Sequence, residues 1–326
     1  MKIGKLTNPE LIDCVFGVIK KRRDEVKVRS SLAQDCSSFE IDDTILISTD
    51  PITGADEGAG GLAIKINAND IYAAGGQPVL AVITILAPPN ATVEEIKRVM
   101  VDAENEAERN NIEIVGGHTE FTDAVNKIVV SVTIIGKTDK HITADSAKAG
   151  DSIILTKTIG IEGTVILAHD YEKKLRAFLT DDELEQAKQL KNSISITEEA
   201  LIARRHNINA MHDITEGGLF GALAEMAQAS GVGAVIETDK VKTHPVTEKI
   251  CSSLGVDKYR LISSGSLLIS APRPKELLEA FEQAGIQAAV VGKFNDTKEI
   301  IADFGDRQEK LSTKYDQLFD AVKRCK

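Results

Sequence analysis

Eight carboxylates, Asp35, Glu40, Asp42, Asp43, Asp50, Asp56, Glu57 and Asp70, fall between Ser30 and Gly75 against one base, Lys65. Oxygen-only clusters suit a hard cation, and Mg²⁺ normally takes one or two carboxylates together with phosphate oxygens and water. The chemistry to which the set points is a Mg-nucleotide site. Asp50 follows the apolar run Ile45-Leu46-Ile47 through Ser48-Thr49, at a strand end, where α/β proteins place ligands. Asp70, in Asn67-Ala68-Asn69-Asp70-Ile71, belongs to the C-terminal half of a predicted helix, where a carboxylate opposes the dipole. Solvated surface accounts for any single one of these acids; only the set is informative.

Two further stretches have the composition of ligand turns. Gly116-Gly117-His118-Thr119-Glu120 follows the short predicted strand Ile112–Val115, and its glycines allow a tight turn and close approach of backbone to a phosphate. His118 reads either as a contact to phosphate or metal or as a structural hydrogen-bonding residue. Met211-His212-Asp213-Ile214-Thr215-Glu216-Gly217-Gly218-Leu219 joins a predicted strand to a predicted helix, whose N-terminal N–H groups and dipole attract anions. His212 or Asp213 is a candidate proton acceptor there, while Asp213 and Thr215 read equally as simple N-caps. Neither stretch is a P-loop or a GxGxxG fingerprint.

The elements that must position these residues alternate between β-rich apolar runs and amphipathic helix-length segments, which indicates an α/β or α+β fold. Strands are predicted at 44–49, 79–87, 113–115 and 127–136, and helices at 60–74 and 92–111. Thr92 and Glu95 form a capping box at the start of the second helix. The polar stretch from Gly136 to Gly150 marks a domain boundary, giving domains 1–145 and 146–326. Beyond it the predicted order is a strand at 151–156, helices at 162–169 and 197–205, a strand at 208–212 and a helix at 217–229. Strands at 234–237 and 266–270, a helix at 274–284, a strand at 288–292 and a helix at 316–324 complete it.

The 326 residues exceed what one core usually supports. No apolar run reaches the length of a membrane span, and no secretory signal is recognisable, so a cytoplasmic, membrane-free protein is expected. A net charge of −11, no Trp and 4% aromatics disfavour nucleic-acid partners. Lys20-Lys21-Arg22-Arg23, followed at once by Asp24-Glu25, reads as a solvated helix end. Cys14, Cys36, Cys251 and Cys325 form no CxxC pair and are expected as reduced thiols.

Taken in order, Gly4-Lys5-Leu6, Ser48-Thr49-Asp50-Pro51, Asn69-Asp70-Ile71, Gly116-Gly117-His118-Thr119-Glu120 and His212-Asp213-Ile214-Thr215-Glu216-Gly217-Gly218 resemble the aminoimidazole ribonucleotide (AIR) synthetase superfamily. The resemblance covers essentially the whole chain and is nearest to the AIR-synthase-related branch close to the hydrogenase maturation factor HypE. Ala149-Gly150-Asp151, Ile161-Glu162-Gly163-Thr164 and Ser263–Ile269 support it.

This resemblance implies a PurM-like two-domain α/β fold, in which the N-terminal domain pairs with its twin as the barrel-like core of a homodimer. It implies ATP and Mg²⁺ as cofactors. Asp35, Asp50 and Asp70 match metal and phosphate ligands; Asn69, Gly117, His118 and Thr119 match nucleotide contacts; and His212, Asp213 and Glu216 match the substrate-side turn of the C-terminal domain. The implied activity is ATP-dependent phosphoryl transfer to an oxygen of a small molecule or protein thiocarboxamide, with hydrogenase maturation proteins as partners. The alternatives are a nucleotide-binding maturation partner with little turnover and a thiamine-monophosphate kinase. Two departures stand out. Ala33-Gln34-Asp35-Cys36-Ser37 replaces the family's Gly-Asp/Glu-Asp-Ala-Ala pattern, and Arg324-Cys325-Lys326 lacks the Pro-Arg-Ile context of the HypE terminal cysteine.

Overall fold

Long runs of β-branched residues build the first sheet, and two helices cover one of its faces. The computed structural model describes residues 4–29, 31, 36–53, 58–312 and 316–325. Two compact units are formed, one of residues 1–72 and 76–141 and the other of residues 73–75 and 142–326.

The strands of the first unit are β1 (Gly4–Lys5), β2 (Val26–Val28), β3 (Ser38–Phe39), β4 (Thr44–Ile52), β5 (Gln77–Ala87), β6 (Glu113–Phe121) and β7 (Val129–Thr138). Its helices are α1 (Asn8–Leu11), α2 (Ala59–Ala73) and α3 (Val93–Arg109). Five strands form a sheet in the order β1-β6-β5-β7-β4, and β2 pairs with β3. The β5–β6 pair is parallel, as the intervening α3 requires, and the other pairs of the sheet are antiparallel. Along β7, Val130, Val132 and Ile134 are buried while the residues between them are half exposed, the period-2 pattern of a sheet covered on one face.

Thr92 caps α3 as predicted: its hydroxyl accepts the Glu95 N–H at 3.2 Å, and Glu95 returns a carboxylate oxygen to the Thr92 N–H at 2.6 Å. The basic cluster is not a helix end. Residues 19–23 run as an irregular segment, and the backbone N–H groups of Lys20 and Lys21 both donate to the buried Glu104 of α3, each at 2.6 Å. Tertiary capture of backbone donors by an internal carboxylate has replaced helical hydrogen bonding here.

The second unit contains β8 (Ser152–Thr156), β9 (Ala210–Asp213), β10 (Gly233–Glu237), β11 (Leu267–Ala271), β12 (Ala288–Asn295), β13 (Ile300–Asp303) and β14 (Gln308–Lys310). They form one sheet in the order β14-β13-β10-β12-β8-β11-β9. Its helices are α4 (Ile161–Asp170), α5 (Glu172–Leu175), α6 (Asp181–Gln189), α7 (Thr197–Ala203), α8 (Gly218–Ser230), α9 (Pro245–Leu254), α10 (Pro274–Gln283) and α11 (Leu318–Cys325). The apolar side of α8, with Leu219, Phe220, Leu223 and Met226, is buried in one cluster with Ile153, Leu155, Ile236 and Leu268 of the sheet. Each such side chain contributes about 1.5–3 kcal/mol on full burial. The Ala149-Gly150-Asp151 motif proves to be a structural tie: one carboxylate oxygen of the buried Asp151 accepts Lys148 N–H at 3.1 Å, Asn209 Nδ2 at 2.7 Å and Ser270 Oγ at 2.6 Å.

Candidate functional site

In the first unit the acids of β4 meet α2. Ser48 and Asp50 project to the same side of the strand, and Asn67 and Asp70 lie one helical turn apart on α2. The Ser48 hydroxyl donates to Asp70 Oδ2. The Asn67 side chain brackets the Asp50 backbone, accepting its N–H at 2.7 Å and donating to its carbonyl at 3.3 Å, while a further Asn67 N–H reaches the Ala63 carbonyl at 2.9 Å. Strand and helix are therefore locked in register by polar groups, with the Asp50 carboxylate exposed and Asp70 half buried. Asn69, the neighbouring helical residue, is buried. Asp35 and its neighbours Ala33 and Gln34 lie outside the described residues. Among the described residues no group of three His, Cys, Asp or Glu side chains forms a metal cage.

The Gly116–Glu120 stretch corrects the sequence reading, because it lies inside β6 and is not a turn. The strand runs on to Phe121, with a bulge that steps the register from Ala81↔Ile114 to Val82↔Gly116. Gly117 explains its own glycine: with φ +153°, a Cβ there would stand 1.8 Å from the carbonyl oxygen of Ile83 on the neighbouring strand. The two strands approach too closely for any side chain. Alternation then separates the predicted nucleotide contacts. Thr119 is buried with the helix-covered face, whereas His118 projects from the opposite face, where its Nε2 stands 3.2 Å from Glu120 Oε2.

In the second unit three loops meet at the ends of β8, β9 and β11. Ser263 Oγ accepts the Gly160 N–H at 2.8 Å, Ser266 Oγ donates to the Thr158 carbonyl at 2.6 Å, and Ile214 N–H donates to the Ser266 carbonyl at 3.0 Å. His212, at the end of β9, is turned to α8. Its Nε2 lies 3.2 Å from Glu225 Oε2 on α8, and Nδ1 lies 3.7 Å from Asp213 Oδ1. Burial disfavours the imidazolium, but the Glu225 hydrogen bond and the charges of Asp213 and Glu225 outweigh it and raise the His212 pKa. Asp213 is buried and Glu216 exposed.

The turn into α8 departs from both sequence readings. Gly217 is the N-cap, with φ +83°, and Gly218 follows at φ +63°; two successive left-handed residues call for glycine. Neither Asp213 nor Thr215 caps the helix. The expected free N–H at the helix start is already used, since Gly217 N–H donates to Asp316 Oδ2 at 2.6 Å. An internal carboxylate from the segment before α11 fills the anion position.

Neither Glu162 nor Asp316 is singled out by its sequence context: Ile161-Glu162-Gly163-Thr164 carries only a resemblance, and Asp316 is 99 residues from the turn it serves. Cys325 is buried in one apolar cluster with Leu254, Val246 and Ala321, and burial raises its thiol pKa, the opposite of what a reactive thiolate needs.

Comparison with known proteins gives two family matches: the AIR synthase related protein N-terminal domain at residues 33–138 and its C-terminal domain at residues 148–304. A Methanocaldococcus jannaschii protein named for hydrogenase expression and formation is 27% identical over 220 residues, 66% of this chain and 62% of that protein. The carbamoyl dehydratase HypE of Rhodobacter capsulatus is 26% identical over 71% of this chain and 66% of its own. The chain thus spans just under two thirds of the length of these two relatives. A selenide, water dikinase of Escherichia coli is 31% identical over 245 residues, 73% of this chain and 68% of that protein. Among solved structures, HypE in complex with ATP superposes with a TM-score of 0.77 at 20% identity, over 98% of this chain and 97% of that one. HypE in a HypE–HypF complex does so at 0.70 and 20%, over 82% and 90%. At these identities the structural likeness speaks to the fold.

Proposed function

The chain belongs to the AIR synthase related protein family, and from that premise we propose that it is an ATP-dependent, HypE-like enzyme of hydrogenase maturation. It transfers a phosphoryl group from Mg-ATP to an oxygen of its substrate, a small molecule or a protein thiocarboxamide. The observation that carries this reading is the β4–α2 junction, where Ser48 and Asn67 hold Asp70 and the Asp50 backbone in place on one side of the strand. Two carboxylates on one side of the strand fit Mg²⁺, which completes its shell with phosphate and water. Asp50 and Asp70 would hold the ion, with Asp35 as the third acid that the family resemblance implies. When bound, Mg²⁺ neutralises phosphate charge during transfer.

The chain's own residues supply position and rigidity. Ser48 orients the Asp70 carboxylate by donating to it, and Asn67, saturated by three backbone contacts, keeps β4 from sliding past α2. Of the nucleotide contacts implied by resemblance, Asn69 shares the helix with Asp70. His118 belongs to the other face of the sheet, and Gly117 is explained by strand packing. In the second unit Asp213 is a better proton acceptor than His212, whose raised pKa favours the protonated ring.

Calorimetric titration with ATP, with and without Mg²⁺, and assay of ADP formation test the reading. Binding that requires Mg²⁺, with ADP formed in the presence of a carbamoylated thiol, is the expected result; absence of binding overturns it. Binding without ADP formation would favour a nucleotide-dependent maturation partner instead.

The homodimer draws support from the face of the first sheet opposite α2 and α3, which the β2–β3 segment covers only in part. Ile47 of the edge strand β4 is 67% exposed, Ile45 is also exposed, and Ile47 stands opposite the half-buried Ile135 of β7. An apolar face of this kind marks an interaction surface. Sedimentation is expected to show a two-copy species that Ile47→Lys converts to single chains; a wild type that sediments as a single chain rejects the dimer.

A further inference from the structure

The loop cluster of the second unit buries three carboxylates: Glu162 in the first turn of α4, Asp213 at the end of β9 and Asp316 before α11, each at most 5% exposed. Asp316 is served by backbone, accepting Gly217 N–H at 2.6 Å and Leu318 N–H at 2.7 Å. Asp213 has the His212 ring at 3.7 Å. The Ser264 backbone and side chain face Glu162, yet neither Glu162 Oε2 nor the buried Ser264 Oγ finds a hydrogen-bond partner.

The charges that reach Glu162 are those of Asp316 and Asp213, and among the described residues no Lys, Arg or His forms an ion pair with it. His212, on the same turn as Asp213, is engaged with Glu225, and Glu216 acts on Asp316. Lys157, in the loop between β8 and α4, gives its ammonium to Glu199 at 2.8 Å and to the Ser193 and Ser195 carbonyls. The buried Arg260 guanidinium lies 3.5 Å from Asp257 and 3.6 Å from Glu309. Three buried carboxylates cannot all be ionised at acceptable cost without a cation or a proton. Because no three acids converge on one point among the described residues, a proton relieves the repulsion better than a metal ion. It belongs on Glu162, which has neither the two backbone N–H donors that serve Asp316 nor an imidazole beside it as Asp213 has.

We propose that Glu162 is a proton-holding positioning residue: protonated, it lets Asp213 and Asp316 keep their charges beside it and keeps the Ile214–Gly218 turn seated; ionised, it loosens that turn. Burial, then the charges of Asp316 and Asp213, push its carboxyl up to about 7, which puts the change near neutral pH. The consequence for catalysis rests on the proposed function, in which this turn faces the substrate; the consequence for stability does not.

The sign of the stability effect follows from linkage. Between the ordinary carboxyl pKa near 4.5 and the folded value of about 7 the native chain holds a proton that the unfolded chain has lost. Raising pH across that window therefore favours unfolding. The test is the thermal midpoint of the whole chain against pH, for wild type, Glu162→Gln and Asp316→Asn. Wild type is expected to lose several degrees across the window. Glu162→Gln, uncharged throughout, should lack that loss and be the more stable form at alkaline pH. Asp316→Asn, which removes one repelling charge, should move the transition to lower pH. Isotope-edited infrared spectra of the wild type provide a readout that needs no variant to fold: a protonated glutamate band should persist to neutral pH and vanish above it. A wild-type profile parallel to that of Glu162→Gln, or no such band at neutral pH, overturns the proposal. If ATP turnover is present, its alkaline limb should shift in Glu162→Gln. If turnover is absent, the enzyme reading fails while the stability test still decides the role of Glu162.

Discussion

Asp70→Asn is expected to weaken Mg-dependent ATP binding by about 100-fold while the thermal midpoint stays close to wild type. The substitution keeps an oxygen that accepts from the Ser48 hydroxyl, so the β4–α2 lock survives, and only the charge is lost. A factor of 100 corresponds to about 2.7 kcal/mol, the size of one charge-assisted contact. Asp70 lies in the last turn of α2, where removing a negative charge slightly favours the helix dipole. Any loss of binding therefore cannot be assigned to helix destabilisation. Titration calorimetry on wild type, Asp70→Asn and Asp50→Asn reads the effect directly, and unchanged affinity in the Asp70 variant would remove it from the nucleotide site.

Gly117→Ala is expected to destabilise the first unit by about 3 kcal/mol or more, the range of forced steric conflict in a packed core. The added methyl would meet the Ile83 carbonyl oxygen at 1.8 Å, at a φ of +153°. Neither strand is free to yield, since β5 is paired on both edges, with β6 and with β7. Gly116→Ala is the control. Nothing lies within 4 Å of its added Cβ, so a change of no more than about 0.5 kcal/mol is expected. Thermal unfolding of the two variants separates two meanings of the Gly-Gly pair. A structural glycine costs stability, whereas a glycine kept for close approach of a phosphate would spare the midpoint and lose ATP affinity.

The contrast between these two positions shows what a one-dimensional reading captures. That Asp50 follows an apolar strand and Asp70 lies late in a helix was legible because residue type and local periodicity decide it, although β4 runs two residues past Asp50, to Ile52. The capping box at Thr92 was legible for the same reason. A similar box at Thr180 and Glu183 starts α6 and was equally available in the sequence, although the helix it opens was not predicted. The Gly116–Glu120 stretch was misread as a turn because a Gly-Gly pair signals one in isolation, and only the neighbouring strand reveals that the missing side chain of Gly117 makes room for a carbonyl.

By itself the sequence determined the alternation of strands and helices, the acid-rich segment ahead of α2, a helix beginning near Gly217 and the family to which the whole order of motifs is similar. These depend on periodicity, side-chain chemistry and backbone freedom, all of which are encoded within a few residues. Tertiary structure alone decided that Asp316 accepts from the Gly217 N–H at the start of α8, that Glu104 captures the Lys20–Lys21 backbone, that His212 turns to Glu225, and that Glu162 is buried within reach of the charges of Asp316 and Asp213. Each pairs groups distant in sequence or depends on burial, and the free energy of a charge is set by what surrounds it in space, not by what precedes it in the chain.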